Sequence, residues 1–203
     1  MALVDVVNRM YGAGMPPGTR DALLDGAEEL LDAGGVEAVT LREVGRRAGV
    51  SHNAPYKHFA SKEALLAAVA ARELLRMRDA LVGGLPSDVP PEVALRAVFE
   101  GYARWALTYP RRFRLIFGPW SAGSDELTRA AHAAMDQLLG IVRAAQERGA
   151  LPKGPPERLT ALLQAVAHGA ADLESAGHLA PDGKGGTDAV GLVADLLDHL
   201  AGG

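Results

Sequence analysis

Apolar residues recur at intervals of three and four along most of the chain, the spacing that gathers them on one side of an α-helix. In the first predicted helix, Thr19 or Asp21 can serve as the N-cap, and Gly34 and Gly35 end the helix. No run of Val, Ile, Thr and aromatic residues looks like a strand. The pattern therefore predicts an all-α protein. The repeating apolar positions of the first helix are Leu23, Ala27, Leu30 and Leu31.

Glycine and proline clusters divide the chain into about nine predicted helices. After the first, at 19–33, we expect one opened by Thr40, one opened by Ser51 at 51–59, and one capped by Ser61 at 62–82. A breaker-rich stretch follows at 83–91. The remaining helices are predicted at 92–109, 111–117, 125–148, 156–176 and 187–200. We expect an N-terminal arm at 1–18, a small helical domain at 19–65 and a larger one at 66–203.

Local signals between residues 40 and 59 indicate two short helices joined by a glycine turn. The segment from Thr40 to Glu43 has the form of a capping box. In such a box the threonine hydroxyl accepts a hydrogen bond from the third amide, and the glutamate reaches back to the threonine amide. In the second short helix we expect Tyr56 and Phe59 to face the core.

Two short helices joined by a tight turn and braced by a longer helix form a helix-turn-helix unit. There the second short helix enters the DNA major groove, which is ~12 Å wide and admits one helix. Asparagine can pair with adenine, histidine can donate to guanine, lysine can bind phosphate or guanine, and alanine can touch a thymine methyl. On spacing alone, a helical hairpin in an unrelated bundle is an equal alternative. The outward residues are His52, Asn53, Ala54 and Lys57.

Charge is unevenly distributed along the chain. The formal net charge of −4 argues against a generally basic nucleic-acid binder. Residues 42–62, however, contain five basic side chains and a single acidic one, Glu43. A basic head on an acidic body is what a DNA-binding protein with a second, non-DNA half would show.

The stretch from Thr40 to Leu65 resembles the signature of the TetR family of transcriptional regulators. The specific matches are Ala-Gly-Val-Ser at 48–51, Tyr-x-His-Phe at 56–59 and Ser-Lys-Glu-Ala-Leu at 61–65. The resemblance implies a repressor that binds a palindromic operator as a homodimer and is released by a small-molecule effector. It implies no cofactor and a cytoplasmic location, and the lack of cysteine fits a reducing cytoplasm.

The resemblance also implies DNA-contacting roles for nine residues of the predicted N-terminal domain, which we call the head. Ala54 stands where Thr or Ser is frequent in the family, and Pro55 where Leu or another apolar residue is frequent. Proline in the first turn of a helix costs little, so we expect the helix to persist. The base preference, and not DNA binding itself, depends on Ala54. The residues implied to contact the DNA backbone are Thr40, Arg42, Tyr56, His58 and Lys62, and those implied to face the groove are His52, Asn53, Ala54 and Lys57.

The second half concentrates most of the aromatic residues in one stretch. In a chain with only 5% aromatic residues, this stretch is either the densest part of the core or the lining of a pocket. It resembles a C-terminal domain of one TetR subfamily with a late Trp-x-x-x-His-Gly motif. Here His168 and Gly169 match, but Gln164 replaces the tryptophan, which implies a more polar pocket. The predicted ligand-binding residues are Tyr102, Trp105, Tyr109, Phe113, Phe117, Trp120, Met135, Leu138, Gln164 and His168.

The last two predicted helices are apolar on more than one side, and the resemblance implies that they form the homodimer interface. An enzyme is the competing class, because His168 and Asp172 are four residues apart and could be two metal ligands. No third ligand and no phosphate-binding glycine loop is evident in the sequence. A third option is a TetR-like scaffold or ligand-binding protein that does not regulate DNA.

Residues 1–18 form a weakly apolar segment that contains Asp5 and Arg9. They lack the basic start and unbroken apolar core of a signal peptide. We interpret them as an arm that either frays or touches DNA, or as a segment that precedes a translation start at Met15.

Overall fold

The structure is a computed structural model that describes residues 18–86, 88–120 and 123–201. Apart from Gly18, the predicted N-terminal arm lies outside these residues. Within them the chain forms nine α-helices and no strand, which confirms the predicted all-α class. None of these helices is both long enough and apolar enough to span a bilayer. The helices are α1 (Thr19–Gly34), α2 (Leu41–Arg47), α3 (Ala54–His58), α4 (Lys62–Arg78), α5 (Pro91–Thr108), α6 (Pro110–Phe117), α7 (Asp125–Glu147), α8 (Pro156–Ser175) and α9 (Ala189–Ala201).

Helix boundaries in the second half agree with the predicted ones to within two residues. Pro91, Pro110 and Pro156 are each the first residue of a helix. Proline suits this position because the amide it lacks would have no partner inside the helix. The hydroxyl of Ser124 caps α7 by accepting a hydrogen bond from the Leu127 amide at 3.3 Å. Prolines and a capping serine mark these helix starts within the local sequence, so the sequence predicted them closely.

Helix starts in the first half differ more from the predictions. Neither Thr19 nor Asp21 caps α1, because Thr19 is already its first residue and no side chain caps it. The Thr40 hydroxyl accepts from the Glu43 amide at 3.2 Å, as predicted. Glu43 does not return to the Thr40 amide, because its carboxylate binds Arg46 instead. The capping box is therefore only half formed.

The third helix starts three residues later than predicted. Ser51 does not cap it; the Ser51 carbonyl instead accepts a hydrogen bond from the Ala54 amide at 3.0 Å and closes a turn. The five-residue helix α3 begins after this turn, with Pro55 in its first turn. The start of α4 is as predicted, because the Ser61 hydroxyl accepts from the Ala64 amide at 3.1 Å.

Helix α4 connects the two halves of the molecule. Helix α1 packs against α4 and carries α2 and α3, which also pack on each other; α6 and α7 pack against α4 as well, while α5, α8 and α9 pack on one another. The hydrophobic core is continuous from Leu23 in α1 to Leu197 in α9. After Arg78 the helix widens into a π-helical turn at Asp79–Gly83. Such turns are rare and occur often at functional sites.

Candidate DNA-binding surface and ligand cavity

The turn between α2 and α3 is held in place by two glycines. Gly49 has a φ of 65°, in the left-handed region that glycine adopts without a steric penalty. A Cβ atom on Gly45 would lie 2.8 Å from Cγ of Pro55. The backbone of α2 therefore lies directly against the first turn of α3. This contact accounts for the burial of Pro55. A proline therefore fits here, although the family frequently has leucine or another apolar residue at this position.

The outer surface of α3 and the turn before it is exposed to solvent. Tyr56 is 53% exposed, so the prediction that it faces the core is wrong, whereas Phe59 is 4% exposed and does face the core. The helix has only five residues, and the Tyr56 ring lies beside the His52 ring on the outside, with 5.9 Å between centroids. Ala54 is half-buried. The other exposed residues predicted to contact DNA here are Asn53, Lys57 and His58.

The basic residues of the head fall into two groups. Arg46 pairs with Glu43 at 2.5 Å, and Arg47 pairs with Glu29 at 2.9 Å. The hydrogen bonds from Arg46 lower the pKa of Glu43 below its ordinary value. The second group makes no ion pair with any residue that the structure describes, and it comprises Arg42, Lys57 and Lys62.

Lys62 and Thr40 occupy the starts of two helices. Lys62 is the first residue of α4, where the free amides and the helix dipole favour an anion. Thr40 precedes α2, and its hydroxyl oxygen is occupied by the Glu43 amide, which leaves the hydroxyl proton free to donate. Both positions therefore suit contacts with a phosphate.

A cavity of about 120 Å³ lies between α4, the π-helical turn, α5, α7 and α8. Five of the ten residues predicted to bind a ligand line it: Tyr102, Phe117, Met135, Leu138 and Gln164. Nine lining residues were not in that prediction, namely Leu74, Met77, Arg78, Leu81, Val82, Val98, Phe99, Ala131 and Ala134.

The other five predicted residues do not line this cavity. Phe113 and His168 form an aromatic cluster with Tyr102 and Phe117, with 4.5 Å between the Phe113 and His168 centroids. The Tyr102 hydroxyl is 3.1 Å from Nδ1 of His168. This cluster is the core immediately behind the cavity, so the core and pocket interpretations each hold for part of the aromatic stretch.

Three aromatic residues lie further away. Trp105 and Tyr109 contact each other at 5.9 Å between ring centroids. The indole N–H of Trp120 donates to the Ile116 carbonyl at 3.3 Å. None of these three residues lines the cavity.

An ionic cluster stands behind the head, between α1 and α4. Glu28 of α1 accepts hydrogen bonds from Nε of Arg72 at 2.6 Å and from Nη1 of Arg76 at 2.8 Å. Arg76 also donates to Glu73 at 2.9 Å. Both glutamates are buried. Each buried glutamate therefore depends on its arginine partners, since an isolated buried charge is strongly unfavourable.

Helix α6 completes the ionic cluster through Arg112. Its guanidinium donates to Glu73 of α4 at 2.8 Å and to Asp32 of α1 at 2.5 Å. The neighbouring Arg111 donates to the Asp32 carbonyl. The same short helix carries Phe117 to the cavity wall. Helix α6 is thus bound at one end to the head and at the other to the cavity.

Burial changes the acidity of two groups beside these sites. Burial and the charge of Glu73 raise the pKa of Glu28 to about 7, although Arg72 and Arg76 act in the opposite direction. Burial, with the charge of Asp172, also raises the pKa of the Tyr102 hydroxyl. Tyr102 therefore stays neutral at physiological pH, and its hydroxyl lies within hydrogen-bond distance of His168.

Comparison with known proteins agrees with this arrangement in both halves. Residues 23–69 match the family described as bacterial regulatory proteins, tetR family. Residues 95–200 match the tetracyclin repressor-like C-terminal domain. The HTH-type transcriptional regulator BetI of Rhizobium meliloti (strain 1021) is 36% identical over 91 residues. That match spans 45% of each chain, so the chain covers less than half the length of this curated relative.

Solved structures with the same fold cover nearly the whole chain. A protein of unknown function from Rhodococcus sp. RHA1 is 32% identical, with 94% of this chain and 95% of that chain covered and a TM-score of 0.76. The TetR family repressor FadR of Thermus thermophilus, solved in complex with lauroyl-CoA, is 22% identical, with 89% and 92% covered and a TM-score of 0.63. The family consists of transcriptional regulators and not of enzymes. On its helix-turn-helix and on the family match of its C-terminal half, the chain belongs to the TetR family of transcriptional regulators.

Proposed function

We propose that this protein represses transcription by binding a palindromic operator as a homodimer, and that a small-molecule effector releases it. The observation that carries the proposal is the outer surface of α3. Its polar side chains are exposed, and Arg42, Lys57 and Lys62 have no carboxylate partner in the described parts of the chain. Its backbone is fixed against α2 by the contact between Gly45 and Pro55. A rigid helix with free cations fits a major groove and its phosphates.

The proposed DNA contacts follow the family pattern. Phosphates would be bound by Thr40, Arg42 and Lys62, which lie at or near helix starts, and by Tyr56 and His58 on the exposed side of α3. Base edges would be contacted by His52, Asn53, Ala54 and Lys57. Because its partner is chromosomal DNA, we expect the protein to act in the cytoplasm.

We propose that the homodimer forms through α8 and α9. Leu162 and Leu173 of α8 are 47% and 45% exposed, which is unusual for leucine in a described helix of this protein. They are three turns apart and so share one face. Gly169 lies between them, and a Cβ atom there would meet nothing within 4 Å. A second helix can therefore approach this apolar face closely, and a twofold dimer would set two α3 helices about one DNA turn, ~34 Å, apart.

The proposed effector site is the cavity, because its wall and the head share helix α4. Leu74 and Met77 line the cavity, while Leu65 and Val69 of the same helix belong to the core under the head. A molecule that binds better to one position of α4 than to another would shift the protein towards that position, and so change the distance between the two DNA-binding heads of the dimer. The Thermus thermophilus repressor solved in complex with lauroyl-CoA supports the proposal that a protein of this fold binds a small molecule.

A gel-shift assay on the DNA upstream of the protein's own gene tests the proposal. We expect specific binding that falls steeply with salt, because phosphate contacts release counterions. Lys62→Ala should weaken binding to all sequences alike and reduce the salt slope by about 1. The matched control is Lys153→Ala, since Lys153 is exposed far from the head. Unchanged affinity of Lys62→Ala at about 100 mM salt would contradict its assigned role.

Selection of binding sites from random DNA tests the groove contacts separately. We expect His52→Ala and Asn53→Ala to relax the preferred base at one or two positions, at about 1–3 kcal/mol each. The overall salt slope should change little, because phosphate contacts remain. An unchanged selection profile would show that neither side chain reads a base.

A further inference from the structure

We infer that the cavity is built for an uncharged, mainly apolar molecule that carries one hydrogen-bonding group, such as an amide, a ketone or an alcohol. This inference rests on the proposed function, in which the cavity holds the effector. It is carried by three features of the described residues: the composition of the cavity wall, the state of the one charged side chain among them that lines it, and one lining polar side chain that has no partner among them.

The wall is almost entirely apolar. Leu74, Met77, Phe99, Phe117 and Leu138 are among its apolar lining residues. Among the lining residues that the structure describes there is no Asp or Glu. A cation entering this space would lose its hydration without gaining a counter-charge, which is strongly unfavourable. The wall therefore disfavours cationic molecules.

The charged side chain at the wall, Arg78, is already neutralised. Its guanidinium donates two hydrogen bonds to the carboxylate of Asp79, at 2.8 Å from Nε and 2.5 Å from Nη2. The two residues are neighbours in the chain, so the carboxylate stays near the guanidinium even if a ligand competes for it. A carboxylate ligand would meet this negative charge as well as the positive one. The pair therefore gives the wall no surplus of positive charge for an anion.

One polar side chain at the wall has unused hydrogen-bonding capacity. Gln164 of α8 is half-buried, and no hydrogen bond joins its amide to any residue in the described ranges. The Tyr102 hydroxyl, in contrast, is already bonded to His168. An amide can donate and accept, so it suits a neutral carbonyl or hydroxyl group. Gln164 thus marks where the polar end of the ligand would lie.

The size of the space limits the ligand further. Its volume of about 120 Å³ is close to the ~150 Å³ of apolar cavities that accept benzene. The volume therefore matches a molecule of about one aromatic ring. The π-helical turn at Asp79–Gly83 contributes Leu81 and Val82 to the lining of this space.

Calorimetric titration of the full chain with three probes of matched shape tests the inference. The probes are 4-methylbenzamide, 4-methylbenzoate and 4-methylbenzylammonium at neutral pH. We expect the amide to bind and each ion to bind at least about tenfold more weakly, because only the ions lose strong hydration. Tighter binding of either ion, or no binding of the amide up to its solubility limit, overturns the inference.

Two variants assign binding to this cavity. Gln164→Leu should weaken amide binding about two- to tenfold, the loss expected for one hydrogen bond, and leave binding of p-xylene unchanged. Gln146→Leu is the matched control, because Gln146 is bonded to the Pro152 carbonyl outside the cavity. Ala134→Phe should fill the space and abolish binding of all probes. An amide affinity that neither Gln164→Leu nor Ala134→Phe changes would overturn the inference.

Operator binding, measured on the same samples, separates this inference from the proposed function. A wild-type protein that binds its operator but not the amide refutes the ligand class alone. A protein that binds the amide and no DNA refutes the proposed function alone. Circular dichroism of Ala134→Phe checks that loss of probe binding does not come from unfolding.

Discussion

Basic side chains are used in opposite ways on the two sides of the head. On the outer side, Arg42, Lys57 and Lys62 make no ion pair within the described residues. On the inner side, Arg72 and Arg112 bind the buried carboxylates of Glu28 and Glu73, and Arg112 also binds the exposed Asp32, which joins α1, α4 and α6. Free cations cost little where water reaches them and remain available to phosphates. Paired cations in a desolvated cluster fix helices instead, so local charge alone does not distinguish a binding surface from a structural connection.

The largest effect is expected from breaking the inner cluster. Arg112→Met should lower the free energy of unfolding by about 3 kcal/mol, because it deprives the buried Glu73 of one of its two partners. Arg104→Met is the matched control, since Arg104 is exposed and pairs only with Glu100 in the described structure, which is worth less than about 1 kcal/mol. Urea denaturation measures both. Equal losses would remove the distinction between inner and outer cations.

The second prediction uses pH to test the burial of Glu28. Its pKa is raised to about 7 by burial and by Glu73, from an ordinary value of 4.5. Between these pH values the folded state therefore binds more protons than the unfolded state, and stability falls as pH rises. We expect wild type to lose roughly 1–3 kcal/mol between about pH 5 and pH 8.

Glu28→Gln provides the control for this pH dependence. An amide at this position does not titrate, so the curve of stability against pH should become flatter over the same range. A Glu29→Gln variant, which changes an exposed carboxylate beside it, should keep the wild-type curve. If wild type were instead more stable at pH 8 than at pH 5, the assigned direction would be wrong.

The smallest effect on stability is expected at the outer side, where packing and not charge positions α3. Gly45→Ala places a methyl group 2.8 Å from Cγ of Pro55 and should cost about 1–2 kcal/mol. Operator affinity should fall more than stability, because α3 shifts relative to α2. Gly140→Ala is the matched control, since nothing lies within 4 Å of its Cβ position and the helix should gain slightly. Operator affinity that is equal in both variants would show that α3 tolerates displacement.

The sequence predicted most helix boundaries because they depend on local signals. Prolines and glycines mark the ends of α5, α6 and α8, and hydroxyl caps mark the starts of α2 and α4. The start of α3 was missed because Ser51 has cap chemistry but closes a turn instead. Tyr56 was predicted to face inward together with Phe59 because positions 56 and 59 share one side of a helix; α3 ends at His58 and Phe59 is extended, so the two side chains do not share a helical face.

The cavity was harder to predict because distant segments build it. Tyr102 and Phe117 were predicted to bind a ligand because they belong to the aromatic stretch, and both line the cavity. Leu74 and Met77 also line it, but the spacing of apolar residues along the fourth helix cannot distinguish a core side chain from one that faces a cavity. The ion pairs of Arg112 join residues 39 and 80 positions away, and no sequence pattern indicates such partners.

The continuous hydrophobic core determines how the molecule unfolds. Because α4 contributes to the core under the head and to the cavity wall, neither half can lose its structure without exposing apolar side chains of the other. Heating should therefore produce one cooperative transition. A molecule bound in the cavity would raise the melting temperature of the whole chain, including the distant α1 and α2.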